Sequence, residues 1–300
     1  MLPEALEALA PRPGGRYVDG TLGRGGHAEA ILQASSPTGR LFGCDRDASA
    51  VEWVRQRLAT FADRCELRQG NFSDLDQWIE AESCDGVILD LGLSSVQLDD
   101  RARGFSFRFS GPLDMRFDPL QGQTAADIVN RAEATELERI LRDYGGEPAA
   151  RRLARAIVLE RPRGGFTTTT QLADFVCRLL PRGGRAVHPA TRAFQALRIA
   201  VNDEFGALER GLAATFKLLR PAARLAVITF HSGEDRIVKA FGRALARDYS
   251  IEGYVDVPEL RKPRRPELIW VSRKAIRPTA AEVAENPRAR SAQLRVMQKI

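Results

Sequence analysis

The residues with the clearest chemical potential lie in one stretch: Asp19-Gly20-Thr21-Leu22-Gly23-Arg24-Gly25-Gly26-His27. It follows a short apolar segment, Arg16-Tyr17-Val18-Asp19, that reads as a buried strand. Glycines there permit a sharp turn and bring backbone amides close to a ligand at a helix start. Asp45 ends a second strand candidate, 39–45, about twenty residues after the glycine turn, where a carboxylate can accept hydrogen bonds from ribose hydroxyls. Gly70-Asn71-Phe72 follows a third, where the Phe72 ring can pack on adenine. Asp90 ends a fourth, 84–91, at the edge where open α/β sheets carry out chemistry.

Two cofactors fit this turn. Gly23-x-Gly25-x-x-Ala28 matches a variant of the dinucleotide fingerprint. Asp19-x-Thr21-x-Gly23-x-Gly25 resembles the acid-led glycine motif of S-adenosylmethionine enzymes, with Thr at the first glycine. Asp19 favours the second. A carboxylate repels a pyrophosphate but attracts an ammonium or sulfonium. A nicotinamide-dependent oxidoreductase is therefore the weaker reading. A third reading is an RNA-binding module that kept the fold without the activity.

The elements that must position these residues alternate. Strand candidates at 16–19, 39–45, 65–68 and 84–91 are separated by helical patterns at 26–32 and 48–59, with Ser73 expected to cap a short helix through 79. The spacing predicts a parallel, doubly wound α/β sheet. From 104 to 202 the strand rhythm stops. Helical periods appear at 149–160, 172–180 and 190–201, with a Thr135-x-x-Glu138 capping box and glycine punctuation at 145–146, 163–165 and 181–184. A helix at 204–219 ended by Pro221, a strand at 224–230, a helix at 232–246 and a late strand at 268–274 complete the sheet domain. The expected division is a sheet domain of 1–103 and 203–300 with a helical domain, 104–202, inserted into it.

The chain has 300 residues, 44% hydrophobic and 28% charged, which excludes collagen-like and wholly disordered classes. No apolar stretch approaches the ~20 residues that span a bilayer. The opening Met1-Leu2-Pro3-Glu4 lacks the basic and apolar regions of a signal peptide, so a cytoplasmic location is expected. Cys44, Cys65, Cys84 and Cys177 form no C-x-x-C pair and read as buried thiols, with no metal site. Net charge is +6, carried almost wholly by arginine, whose planar fork suits phosphate. Arg151, Arg152, Arg155, Arg161, Arg163, Arg182, Arg185 and Arg192 in the helical segment, with Arg288 and Arg290 in the tail, are candidate RNA phosphate contacts.

At this point the sequence resembles a family, the bacterial 16S ribosomal RNA cytosine-N4 methyltransferases. The residues are Asp19-Gly-Thr-Leu-Gly-Arg-Gly-Gly-His27, Leu89-Asp-Leu-Gly-Leu-Ser-Ser95, Gln97-Leu-Asp-Asp100, Arg103-Gly-Phe-Ser-Phe107 and Gly111-Pro-Leu-Asp-Met-Arg116. Further on they are His188-Pro-Ala-Thr-Arg192, Phe194-Gln-Ala-Leu-Arg198, Phe230-His-Ser232, Glu234-Asp-Arg-Ile-Val-Lys239 and Glu285-Asn-Pro-Arg-Ala-Arg-Ser291. They keep family order over nearly the whole chain. The sequence departs in opening without the family's His-x-Pro-Val-Leu segment, and at Val96 for Pro, Leu22 for Phe and Gly233 for Leu. Gly233 is expected to loosen the turn at His231.

The resemblance implies a class I, Rossmann-like S-adenosylmethionine-dependent methyltransferase with an inserted helical domain facing RNA. It implies methylation of a decoding-region cytidine in 16S rRNA, expected within an assembled small subunit, with a homodimer possible. Carried over residue by residue, donor contacts fall on Gly25, Gly26, His27, Asp45, Phe72, Asp90 and Gln97. Candidates for handling the N4 proton are Asp90, Ser94 or Ser95, Asp114 and His231; the alternative for His231 is a helix cap with Glu234-Asp235, and for Asp114 an ion pair with Arg116.

Overall fold

The protein was analysed as a computed structural model, which describes residues 1–180, 188–251 and 256–300. Arg182, Arg185 and the glycine punctuation at 181–184 lie outside the described residues. The chain divides into two compact units, one of Met1–Gly92 with Phe205–Ile300, the other of Leu93–Glu204. The sequence reading set these divisions at 103/104 and 202/203.

The first unit is built on a seven-stranded sheet. Its strands are β1 (Arg16–Asp19), β2 (Arg40–Asp45), β3 (Cys65–Gln69), β4 (Cys84–Asp90) and β5 (Leu219–Thr229), then β8 (Leu268–Trp270) and β9 (Gln293–Lys299). Between β5 and β8, β6 (Tyr249–Ile251) and β7 (Arg261–Pro263) form a separate two-stranded sheet. The large sheet runs in the order β3-β2-β1-β4-β5-β9-β8. β1 to β5 are parallel, and β9 is antiparallel to both β5 and β8. This is the mostly parallel, doubly wound α/β sheet that the strand spacing predicts. Strand order reverses between β1 and β4, which places a ligand crevice at their carboxyl ends.

Successive strand residues point to opposite faces. Tyr17 and Ile88 join one buried cluster with Ile31 and Val54; their neighbours Val18 and Leu89 join another with Leu208 and Leu212. Both faces are covered, so the strands read as continuous apolar runs. The second unit has its own core, including Leu113, Leu137, Leu153, Leu172 and Phe194.

Several local expectations are corrected. The segment after β3 is a 3-10 turn, Phe72–Gln77, capped by Asn71 and not by Ser73. Helix Ala134–Arg139 follows Glu133 with no side-chain cap, so Thr135 and Glu138 form no capping box. Among the described residues of the second unit, capping boxes lie at Thr124 with Asp127, Thr168 with Gln171, and Ser94 with Gln97. Pro221 lies inside β5, not after a helix end. The β4–β5 register shifts between Cys84 and Gly86, and Ala222 takes a positive φ of 67° there. Such a bulge tolerates a residue without an amide hydrogen. The late strand stops at Trp270, short of 274. Helices Leu2–Leu9, Ala125–Arg131 and Ala280–Glu285 and strand β9 were not foreseen.

The four cysteines are free; Cys44 and Cys84 are buried as expected, but Cys65 and Cys177 are only partly so. Among the described residues no His, Cys, Asp and Glu group could hold a metal ion, and no helix is long and apolar enough to cross a membrane.

Candidate active site

The carboxyl ends of β1, β2 and β4 each finish on an aspartate: Asp19, Asp45 and Asp90. β1 lies between the other two, with Asp19 opposite Gly43 and Ile88.

Asp19 is 1% exposed. Its Oδ1 accepts a hydrogen bond from the Thr21 amide at 3.1 Å, while its Oδ2 is buried with no partner in the protein. Burial pushes this carboxyl up to about 7, and the charges of Asp90 and Asp45 add to the rise. Asp90 has its Oδ1 buried without a partner and its Oδ2 3.7 Å from His27 Nδ1. Its side chain keeps 32% exposure, yet the surrounding protein desolvates it and pushes it up to about 7; the N-terminal ammonium opposes the rise, and Glu234 and Glu282 add to it. Burial drives His27 down to about 4, so the imidazole is neutral at pH 7. Asp45 is engaged on both oxygens, by the amides of Gly23 and Asp47, each at 2.9 Å. Burial still raises its carboxyl, with those amides opposing.

Thr21, noted in the sequence only as a substituted glycine, binds the two strand tips together: its Oγ1 accepts from the Asp90 amide at 2.6 Å. Gly25 sits at φ +76°, in the left-handed region, and caps helix Gly26–Ala34. A Cβ built at Gly26 or at Gly70 would meet nothing within 4 Å, so both flank open space. Phe72 is partly buried and its ring packs on helix Glu204–Leu218, where a Cβ at Gly211 would lie 2.2 Å from Cδ2.

His231 caps helix Ser232–Ala246, its Nδ1 accepting from the Glu234 amide at 3.4 Å. Nε2 lies 3.2 Å from Glu234 Oε1 without hydrogen-bond alignment. Gly233 does not leave the turn loose. The Phe205 ring fills the place of its missing side chain, 2.5 Å from a built Cβ.

The other candidates lie in the second unit. Ser94 Oγ accepts from the Gln97 amide at 3.2 Å, and Gln97 Oε1 accepts from the Ser94 amide at 3.1 Å. Both side chains thus shape the start of helix Ser95–Asp99. Arg116 grips Asp114 through Nε at 2.9 Å and a terminal nitrogen at 2.7 Å. Burial raises the Asp114 carboxyl, but the guanidinium outweighs it and holds the group below the usual carboxylate range. That suits Asp114 to structure more than to accepting a proton.

Two unpaired carboxylate oxygens beside a glycine turn call for donors or positive charge. The ammonium, sulfonium and ribose hydroxyls of S-adenosylmethionine meet that need, whereas a pyrophosphate adds repulsion. The sequence matches the MraW methylase family over residues 1–300.

The chain belongs to the MraW methylase family. The ribosomal RNA small subunit methyltransferase H of Geobacter sulfurreducens is 49% identical over 99% of this chain and 96% of its own length. Its namesake from Thermomicrobium roseum is 48% identical over 100% and 92%, and that from Syntrophotalea carbinolica 47% over 99% and 96%. As a member of this family the protein is a methyltransferase, and its cofactor is S-adenosylmethionine.

Proposed function

We propose that this methyltransferase modifies the N4 amine of a decoding-region cytidine in 16S ribosomal RNA, within the assembled small subunit. The rRNA substrate is supported by full-length relatives named as ribosomal RNA small subunit methyltransferases. The observation that carries the site assignment is Asp90, a strand-tip carboxylate with an unpaired buried oxygen and a carboxyl raised to about 7.

Bound in the crevice, S-adenosylmethionine supplies a methyl group already activated by its sulfonium. Asp19, Asp45 and the glycine turn hold the donor, with Phe72 beside it. The remaining demand is nucleophilicity. The cytosine N4 lone pair is delocalised into the ring, so an acceptor for an N4 hydrogen localises it, and a base takes the proton after transfer. Asp90 fits both roles, because a base titrating near the working pH balances availability against strength. His27 is neutral and sets no charge against Asp90. His231 positions helix Ser232–Ala246. The base must leave its stack to reach such a crevice. Arg151, Arg152 and Arg155, on the exposed face of helix Ala150–Glu160, and exposed Arg192 suit phosphate contacts. Arg161 and Arg163 are engaged with the Ala132 carbonyl and Glu160.

The test is transfer from methyl-labelled donor to small subunits and to protein-free small-subunit RNA, followed by digestion to nucleosides. The expected product is N4-methylcytidine, made faster on subunits. Label on another nucleoside, or none on either substrate, contradicts the assignment.

A further inference from the structure

A second feature of the sheet unit lies outside the carboxylate crevice. Helix Ser232–Ala246, β8, β9 and the segment after β8 border an open-sided cavity of about 430 Å³. Six cations line it, Lys239, Arg243, Arg273, Lys274, Arg277 and Arg295, beside Trp270, Ala275 and Gln293; no carboxylate does. Arg295 and Lys239 share the buried Asp235. Arg243, Arg273, Lys274 and Arg277 are exposed and have no acidic partner among the described residues. Trp270 is held in place: its ring packs where a Cβ at Gly242 would lie 2.2 Å from Cζ2, and Arg295 lies 5.9 Å from its centroid.

Crowding like charges in one concavity raises the free energy of the empty protein, and a polyanion relieves it. Arginine forks grip phosphate oxygens, and a fixed indole offers a stacking surface that suits any base. A lone phosphate would not need a tryptophan. The cavity also shares its helix with His231. At a rise of ~1.5 Å per residue, Arg243 lies about 18 Å along the helix from that cap, roughly five stacked nucleotides at 3.4 Å each.

We propose that this cavity binds the sugar–phosphate backbone of the RNA strand that carries the target base, as an anchor additional to those of the helical unit. The proposal rests on the rRNA reading above. It makes Arg243, Arg273, Lys274 and Arg277 phosphate contacts and Trp270 a stacking platform, none of which the sequence suggested.

The test is the double charge reversal Arg243→Glu with Arg277→Glu, both at exposed positions. Protein-free small-subunit RNA is titrated at several salt concentrations by filter binding. Each lost phosphate contact should flatten the slope of log affinity against log salt by about 0.7–1. The double variant should thus lose about 1.4–2 of slope and at least ~10-fold of affinity at 0.1 M salt, while S-adenosylmethionine affinity by calorimetry stays that of the parent. Unchanged RNA affinity and slope overturn the proposal. So does loss confined to anionic phosphatidylserine vesicles with RNA binding intact. If the parent methylates this RNA while the variant binds it equally well, the cavity assignment fails and the rRNA reading stands. If the parent neither binds nor methylates it, both fail.

Discussion

Asp90→Asn should slow single-turnover methyl transfer at saturating S-adenosylmethionine by about 10²-fold or more, the usual scale for removing a positioned proton acceptor. Asparagine keeps the size of the side chain and can still offer an oxygen to the N4 hydrogen, but it cannot take the proton. The Thr21 contact survives, because Thr21 accepts from the Asp90 backbone amide and not from its side chain. Folding should not suffer. The carboxyl is raised to about 7 in the folded protein, so its ionisation opposes folding at higher pH. At pH 8 the variant should unfold at the same temperature as the parent or higher. A full rate in a stably folded Asn variant would remove Asp90 from the chemistry.

The second large effect is on pH. Asp19 and Asp90 both stand at about 7, each raised chiefly by burial. A cationic donor binds the ionised forms, so protonation competes with it. Affinity for S-adenosylmethionine should rise from pH 6 to pH 8 by about tenfold for each carboxyl that must ionise, one pH unit of competition being worth ~1.4 kcal/mol. The free protein should show the opposite trend. A carboxyl raised in the folded state favours folding while protonated; that stability is complete below the unfolded value near 4 and is lost as pH climbs through about 7. Melting temperature without donor should therefore fall between pH 5 and 8, and saturating donor should restore it at the upper end. Asp19→Asn should flatten the binding profile. Titration calorimetry at pH 6, 7 and 8 reads this directly, and a flat parent profile would mean that neither carboxyl faces the donor's charge.

The strand tips were legible because burial on both faces writes β1, β2 and β4 as short apolar runs, and each run ends on an acid. The glycine turn was legible because the left-handed backbone at Gly25 demands a residue type. What stayed hidden depends on partners distant in sequence. β9 alternates polar and apolar residues near the chain end, and only its pairing with β5, from Thr229↔Gln293 to Arg224↔Gln298, makes it a central strand. The Thr21 hydroxyl bond to the Asp90 amide spans 69 positions. Asp114, by contrast, was open in the sequence as a candidate base or as an ion pair with Arg116, and Arg116 two residues on does grip it. The cationic cavity is assembled from a helix, two strands and a connecting segment spread over residues 239–295, with no motif of its own. Gly233 shows the converse: a residue that suggested a loosened turn is compensated by Phe205, which precedes it by 28 positions in sequence.

The most direct measurement is a crystal structure with S-adenosylmethionine bound. The expected result places a ribose hydroxyl on Asp45 and the donor's positive charge against Asp19 and Asp90, with its backbone-facing side over Gly25 and Gly26. Donor density at any other surface, with these three carboxylates untouched, would contradict the account.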